Sequence, residues 1–365
     1  DVSNTQRYLL HLDARRRGVA QAFVQLGSHV AIGLDGPPNP LERNDFDLRQ
    51  AFLRGHFARI RPWAGRRVLA YGSERLVSRR EGPNLRRAFD GVGVEIYPGN
   101  FRLDLLLARP VDVEPVGAFN DFQWLDSWLW GAYVTGPLAW SAFDAFYLGF
   151  HERDAVYVAG MADETRHSFG VRWFGQRAGW DWNTEAILQF GAFGDQTIWA
   201  WTVASIAGYT FRRLPWLPRL AVSANVASGD DDAEDDTLQS FNALFPRGNY
   251  FSEAAVLGPR NFWNIHGYLS VNPLDGLSAT VDVNAFWRAG IDDGVYGPPG
   301  NLIRGPGDSE ARFVGWAVST ALGWNLNRFL DASAIYTHIV PGAFIEATGP
   351  SPVTHFVELT VRTRF

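Results

Sequence analysis

Residues 355–365, HFVELTVRTRF, set Val357, Leu359, Val361, Thr363 and Phe365 against Glu358, Thr360, Arg362 and Arg364. Successive side chains of an extended strand point to opposite sides, so this segment has one largely apolar face and one charged face. The alternation recurs along the chain. Val92, Val94 and Ile96 oppose Glu95, while Phe101, Leu103, Leu105 and Leu107 oppose Arg102 and Asp104. Leu188 and Phe190 oppose Glu185 and Gln189, and Val281, Val283 and Ala285 oppose Asp282 and Asn284.

Reading the pattern through predicts strands over residues 6–17, 19–33, 47–61, 66–76, 88–97, 101–111, 122–135, 139–151, 166–177, 179–193, 198–211, 219–227, 261–271, 277–290, 312–324, 329–340 and 355–365. Tight turns are expected at 62–65, 98–99, 136–137, 178–179, 212–218, 272–276 and 325–327, marked by glycine, proline and asparagine. Long connections such as 34–45, 77–87, 228–260, 291–310 and 341–352 fall on the opposite side. Short turns on one side and long loops on the other are the habit of an outer-membrane barrel. The expectation is a single domain, 1–365: an all-β, transmembrane, antiparallel up-and-down barrel. Seventeen strands are counted. Barrels of this kind take even numbers, so eighteen is expected, with a first strand before Asp1; sixteen is the alternative, with the weak first strand left outside.

Composition sharpens the choice between membrane and water. Fifteen Trp, eleven Tyr and twenty-six Phe bring aromatics to 14%, yet no apolar run reaches the eighteen residues that a membrane helix needs. Only helices and closed barrels satisfy their backbone in hydrocarbon, so an aromatic-rich membrane chain without such a helix is expected to cross as strands. Cysteine is absent, which removes disulfides and thiolate chemistry, and all thirty-three basic residues are Arg. The net charge of −6 argues against a nucleic-acid partner. The chain shows no signal peptide, as expected of a mature exported protein.

If the apolar faces meet lipid, the charged faces line a wet lumen. Alternation assigns Arg102, Arg172, Arg219, Arg288 and Arg362 to that lumen, together with Glu95, Asp104, Asp144, Glu185, Asp282, Asp331 and Glu358, so acids roughly balance bases. Arginine offers a planar, bidentate match to carboxylate. The run GDDDAEDD supplies Asp230, Asp232 and Asp235 as weak oxygen ligands for calcium, without the spacing of a calcium-binding helical loop. No cofactor is implied. Ser141, Ser168 and Ser270 offer nucleophiles for a rim hydrolase, but no histidine pairs with them in sequence.

Several stretches carry a resemblance: YGSERL (71–76), RRAFDGV (86–92), QFGAFG (189–194), AGYTF (207–211), ASGD (227–230) and FPRGNYF (245–251), in this order. The chain resembles the alginate export family of outer-membrane proteins. The resemblance implies a monomeric barrel of about eighteen strands with an arginine-rich lumen suited to a polyuronate. It implies that Arg75, Arg87 and Asp90 contribute to a selectivity constriction or anchor an inward-folded loop. A salt bridge from Arg75 or Arg87 to Asp90 is the simpler use of those groups. FPRGNYF either folds into the channel and brings Arg247 to the lumen or forms a plain packed loop. The expected function is passive conduction of anionic saccharides or small anionic solutes across the bacterial outer membrane, extending to polyuronate export. The expected partners are membrane lipid, lipopolysaccharide and the solute, with any periplasmic or membrane partner protein unidentified. The alternatives are a barrel enzyme acting on lipid or polysaccharide and a sheath barrel for a partner protein.

Overall fold

The computed structural model describes residues 2–34, 36–248, 251–252 and 254–365. Their elements run β1 (Asn4–Arg16), β2 (Ala20–Ile32), β3 (Asn44–Gly55), β4 (Ile60–Arg67), β5 (Phe89–Ile96), β6 (Arg102–Pro110), β7 (Ser127–Leu138), β8 (Ser141–Tyr157), β9 (Gly160–Arg177), β10 (Trp180–Phe193), β11 (Gln196–Thr210), β12 (Arg219–Ala227), β13 (Thr237–Leu238), β14 (Phe262–Leu274), β15 (Leu277–Trp287), β16 (Val295–Tyr296), β17 (Leu302–Arg304), β18 (Phe313–Asn325), β19 (Leu330–Pro341), α1 (Ala343–Thr348) and β20 (Thr354–Thr363). One sheet holds eighteen of these strands. Seventeen are long and each pairs antiparallel with its neighbour in the wall, as in the register Leu105↔Ala132 or Ala334↔Leu359. The eighteenth, β13, is a two-residue strand running parallel to β11.

Burial is inverted relative to a water-soluble sheet. On β20, Val357, Leu359 and Val361 are 65%, 77% and 70% exposed, while Glu95, Asp104, Asp144 and Glu185 are buried. Apolar side chains outside and charges inside is the arrangement a strand adopts when lipid surrounds it and polar groups fill the interior. The two ends of the sheet come round to a common point. Arg7 of β1 reaches Glu81 at 2.8 Å, and Arg362 of β20 approaches the same carboxylate oxygen at 3.9 Å. Among the described residues no ladder joins β1 to β20.

Most of the predicted strands stand, with four corrections, the first being that Gly136 and Pro137 lie inside β7 and the reversal to β8 is at 139–140. Residues 62–65 lie inside β4, not in a turn, and the reversal from β3 is at 56–59. Gly65 is needed there for a different reason: at φ 121 any Cβ would sit 2.2 Å from the Ala51 carbonyl oxygen. β4 ends at Arg67, so YGSERL is loop rather than strand. On the long-loop side, β8 to β9 and β10 to β11 reverse at 158–159 and 194–195, so these four strands form tall hairpins.

β4 and β5 are the shortest of the wall, at eight residues each. Beside their outer ends, the segment 111–126 leans back from β6 to β3. Phe119 N donates to Phe46 O at 3.0 Å, and the Asp47 carboxylate accepts from Asn120 N and Asp121 N at 2.8 and 3.1 Å. Irregular backbone in this position needs such partners, because lipid offers none.

Candidate functional site

Two long connections fold inward and meet. Segment 68–88, after β4, and segment 228–261, after β12, join where Val77 and Phe245 form a parallel bridge, with Phe245 N donating to Leu76 O at 2.8 Å and Ser78 N to Phe245 O at 3.0 Å. Their apolar sides rest on the inner wall. Leu76, Val77, Phe241 and Leu244 belong to one buried cluster with Leu129, Leu148, Phe150 and Ile187. Each such side chain contributes roughly 1.5–3 kcal/mol when buried, enough to hold the insert in place. Tyr71 stacks on Tyr133 at 5.0 Å, and Tyr133 on Phe146 at 5.1 Å. Gly72 permits this approach: at φ 54, a Cβ would lie 2.2 Å from the Tyr133 hydroxyl.

The outer part of the second insert is fixed by a buried polar network. Arg166 of β9, fully buried, bonds Glu164 at 2.6 Å, Gln189 at 2.9 Å and the Ser240 carbonyl at 3.1 Å. Gln189 Nε2 donates to Asn242 O at 2.7 Å and its Oε1 accepts from Asn242 N at 3.0 Å. Strand wall and inserted loop are thus cross-linked without covalent bonds.

The insert leaves two polar cavities. One, of about 730 Å³, is bordered by Arg75, Arg79, Arg86, Arg247 and Arg362, against Glu74 and Glu81 as its acids, with Asn225 and Tyr268 on the wall. The other, of about 280 Å³, is bordered by Arg67, Arg79, Arg86 and Arg102 with Glu95 and Asp104. Acids and bases do not balance at this level. Arginine predominates because the inserted loops contribute Arg75, Arg79, Arg86 and Arg247, which strand alternation does not count.

Arg75 crosses from the insert to the far wall, its Nε 3.1 Å from Glu185 and its Nη1 donating to Asn225 at 3.3 Å; Ser73 donates to the same Glu185 carboxylate. Burial pushes the Arg75 guanidinium down to about 10, and Arg87 likewise, so both stay charged at neutral pH. Arg102 pairs with Asp104 at 2.8 Å, and Arg172 with Asp144 at 2.8 Å and Asn183 at 2.8 Å. Such opposed pairs brace the wall.

Other sequence candidates sit elsewhere. Neither Arg75 nor Arg87 bridges to Asp90: Asp90 takes Arg66 at 2.8 Å and Trp124 Nε1 at 2.9 Å, and Arg87 lies over the Phe245 ring at 5.4 Å. Arg219 pairs with Asp181 beside a short turn. Arg288 is fully buried beneath segment 288–312, donating to the carbonyls of Ile291, Asp293, Ser309 and Ala311. Arg362 borders the larger cavity. Of the acidic run, Asp230 is buried and accepts from Gln239 N, Asp232 accepts from Glu234 N and Asp235 from Thr237 N. Among the described residues no group of three acidic or histidine side chains is placed to hold a metal ion. Asn249 and Tyr250 of FPRGNYF lie outside the described residues.

Sequence reasoning missed Arg79, Arg86, Glu81 and Arg166. The arginine doublets at 79–80 and 86–87 were the available signal.

The family model described as alginate export matches residues 1–357. The chain belongs to the alginate export family. Its fold is shared with outer-membrane porins of known structure. OccK2 (OpdF) of Pseudomonas aeruginosa, solved in complex with glucuronate, is 13% identical with a TM-score of 0.63, covering 99% of this chain and 92% of that one. A BenF-like porin from Pseudomonas fluorescens Pf-5 is 9% identical, TM-score 0.64, covering 99% and 91%. OccAB1 of Acinetobacter baumannii is 12% identical, TM-score 0.64, covering 99% and 90%. No curated protein matches the chain. This member of the alginate export family is an outer-membrane β-barrel channel, and its inverted burial follows from that location.

Proposed function

We propose that the chain is a passive outer-membrane channel for sugar acids, from monomeric uronates to short polyuronates, with no chemical step. The observation that carries this is the set of guanidinium groups bordering the larger cavity, five arginines to two glutamates, four of them on the two inserted segments and one, Arg362, on β20. A carboxylate passing it meets planar bidentate partners of which four are already shared with an acid: Arg75 with Glu185, Arg79 with Glu74, Arg86 with Glu81 and Arg362 with Asp331. Sharing weakens each site, and conduction requires sites that are weak and repeated rather than one that is tight. The solved glucuronate complex of OccK2 supports the ligand class, since that barrel holds a sugar acid.

Proteoliposome swelling tests the proposal. Vesicles carrying the barrel should swell faster in glucuronate than in glucose at equal osmolarity. Equal rates, or a preference for the neutral sugar, would remove the assignment of substrate class.

A further inference from the structure

We propose that the outer rim beside β6 and β7 carries a binding site for the phosphate of an anionic glycolipid of the outer leaflet. Arg109 stands on the outward face of β6, in line with Leu105 and Leu107, which are 39% and 45% exposed. Its guanidinium lies over two indole rings, 5.0 Å from Trp124 and 4.8 Å from Trp128. Nη2 donates to Leu125 O at 3.2 Å, and Nε is buried without a hydrogen-bond partner. The side chain is therefore held in place before any ligand arrives. A second guanidinium, that of Arg153, comes from the β8 side, where Arg153 N donates to Asp126 O at 2.9 Å.

Both arginines face one carboxylate. Asp126 is 3.7 Å from Arg109 Nη2 and 3.6 Å from Arg153 Nη1, and its side chain is 63% exposed. Charge-assisted bonds of this type ordinarily close to about 2.7–2.9 Å. Asp126 thus marks a position where two guanidiniums converge on one anion, and fills it loosely. The platform below is firm: Trp124 Nε1 donates to Asp90, which is itself paired with Arg66 at 2.8 Å.

The surroundings select a lipid as the source of that anion. Beyond Trp124 the segment 111–126 exposes Val116, Phe119 and Phe122, and Phe119 meets Phe46 edge-on at 5.3 Å. This apolar strip continues the lipid-facing rows of the wall on the long-loop side, where an outer-membrane barrel meets the outer leaflet. Acyl chains fit the strip, and a phosphate on a sugar fits the two arginines with the indoles as a floor.

Retention of lipid by the purified barrel, read by native mass spectrometry in detergent, tests this. Full-length protein should keep one phosphorylated lipid A through detergent exchange and should lose it at least tenfold more readily when both Arg109→Ala and Arg153→Ala are present. Asp126→Asn, which removes the competing carboxylate and leaves the wall untouched, should tighten retention severalfold. Folded migration of unheated protein on a gel identifies any variant that fails to assemble, and Asp126→Asn then carries the test alone. No retained lipid A on the unaltered barrel, weaker retention in Asp126→Asn, or equal retention of dephosphorylated lipid A or phosphatidylglycerol would overturn the proposal.

Discussion

Glu185→Gln is the most informative single change in the lumen. The amide keeps the volume and still accepts from Ser73, while Arg75, 3.1 Å away, loses its counter-charge. The constriction gains one net positive charge. For a permeant ion on the order of 6 Å from that charge in water, the interaction is about 0.7 kcal/mol. A screening length of about 10 Å at 0.1 M salt reduces it to about 0.4 kcal/mol. Anions gain this amount and cations lose it, so the permeability ratio should move toward anions by about fourfold at 0.1 M, and by less at 1 M. Reversal potentials across a potassium chloride gradient read the ratio directly. The local cost is that of a buried pair stripped of one partner, about 3–5 kcal/mol as an upper figure because Asn225 still accepts from Arg75. A ratio unchanged at low salt, in protein that migrates as a folded barrel, would refute the placement of this pair at the constriction.

Arg288→Leu should strand the carbonyls of Ile291, Asp293, Ser309 and Ala311, at about 3 kcal/mol or more, and expose segment 288–312 to protease added to intact cells while the wall stays resistant. Arg166→Met removes the ion-pair partner of the fully buried Glu164 and a hydrogen bond that holds segment 228–261, so single-channel conductance and current noise should both rise; quiet, unaltered steps would count against the anchor. Burial pushes Asp230 up to about 6 from an ordinary 3.8. In that interval the packed loop holds a proton that the released loop has given up, so packing weakens as pH rises from about 4 to 6 and is level above. Hydrogen exchange in segment 228–261, corrected for intrinsic rates, should be slower at pH 5 than at pH 7, and Asp230→Asn should abolish the difference.

The wall was readable because the period-two pattern is imposed by lipid on every strand, and residues such as Val357, Leu359 and Val361 report it without knowledge of their neighbours. β12 and β10 were placed almost to the residue for this reason. The boundary of β4 was not, because Pro62 and Gly65 are turn signals that the fold uses otherwise: Pro62 sits in the ladder opposite Val94, and Gly65 makes room for a carbonyl. The inward-folded segments were legible as motifs only. YGSERL reads as the end of a strand, and while 77–87 and FPRGNYF announce basic loops, whether such a loop points outward or inward depends on contacts more than a hundred residues away, such as Ser73 with Glu185. Charge partners followed the same rule. Arg102 with Asp104 is local and was visible, whereas Arg75 with Glu185 needed the fold.

An open, anion-preferring pathway through a lipid-embedded barrel has a direct electrical signature. Purified protein added to a planar bilayer should produce discrete open steps whose zero-current potential in a salt gradient favours anions, and glucuronate should reduce the chloride current in a concentration-dependent way. A silent bilayer with folded protein present, or steps that favour cations and ignore glucuronate, would contradict it.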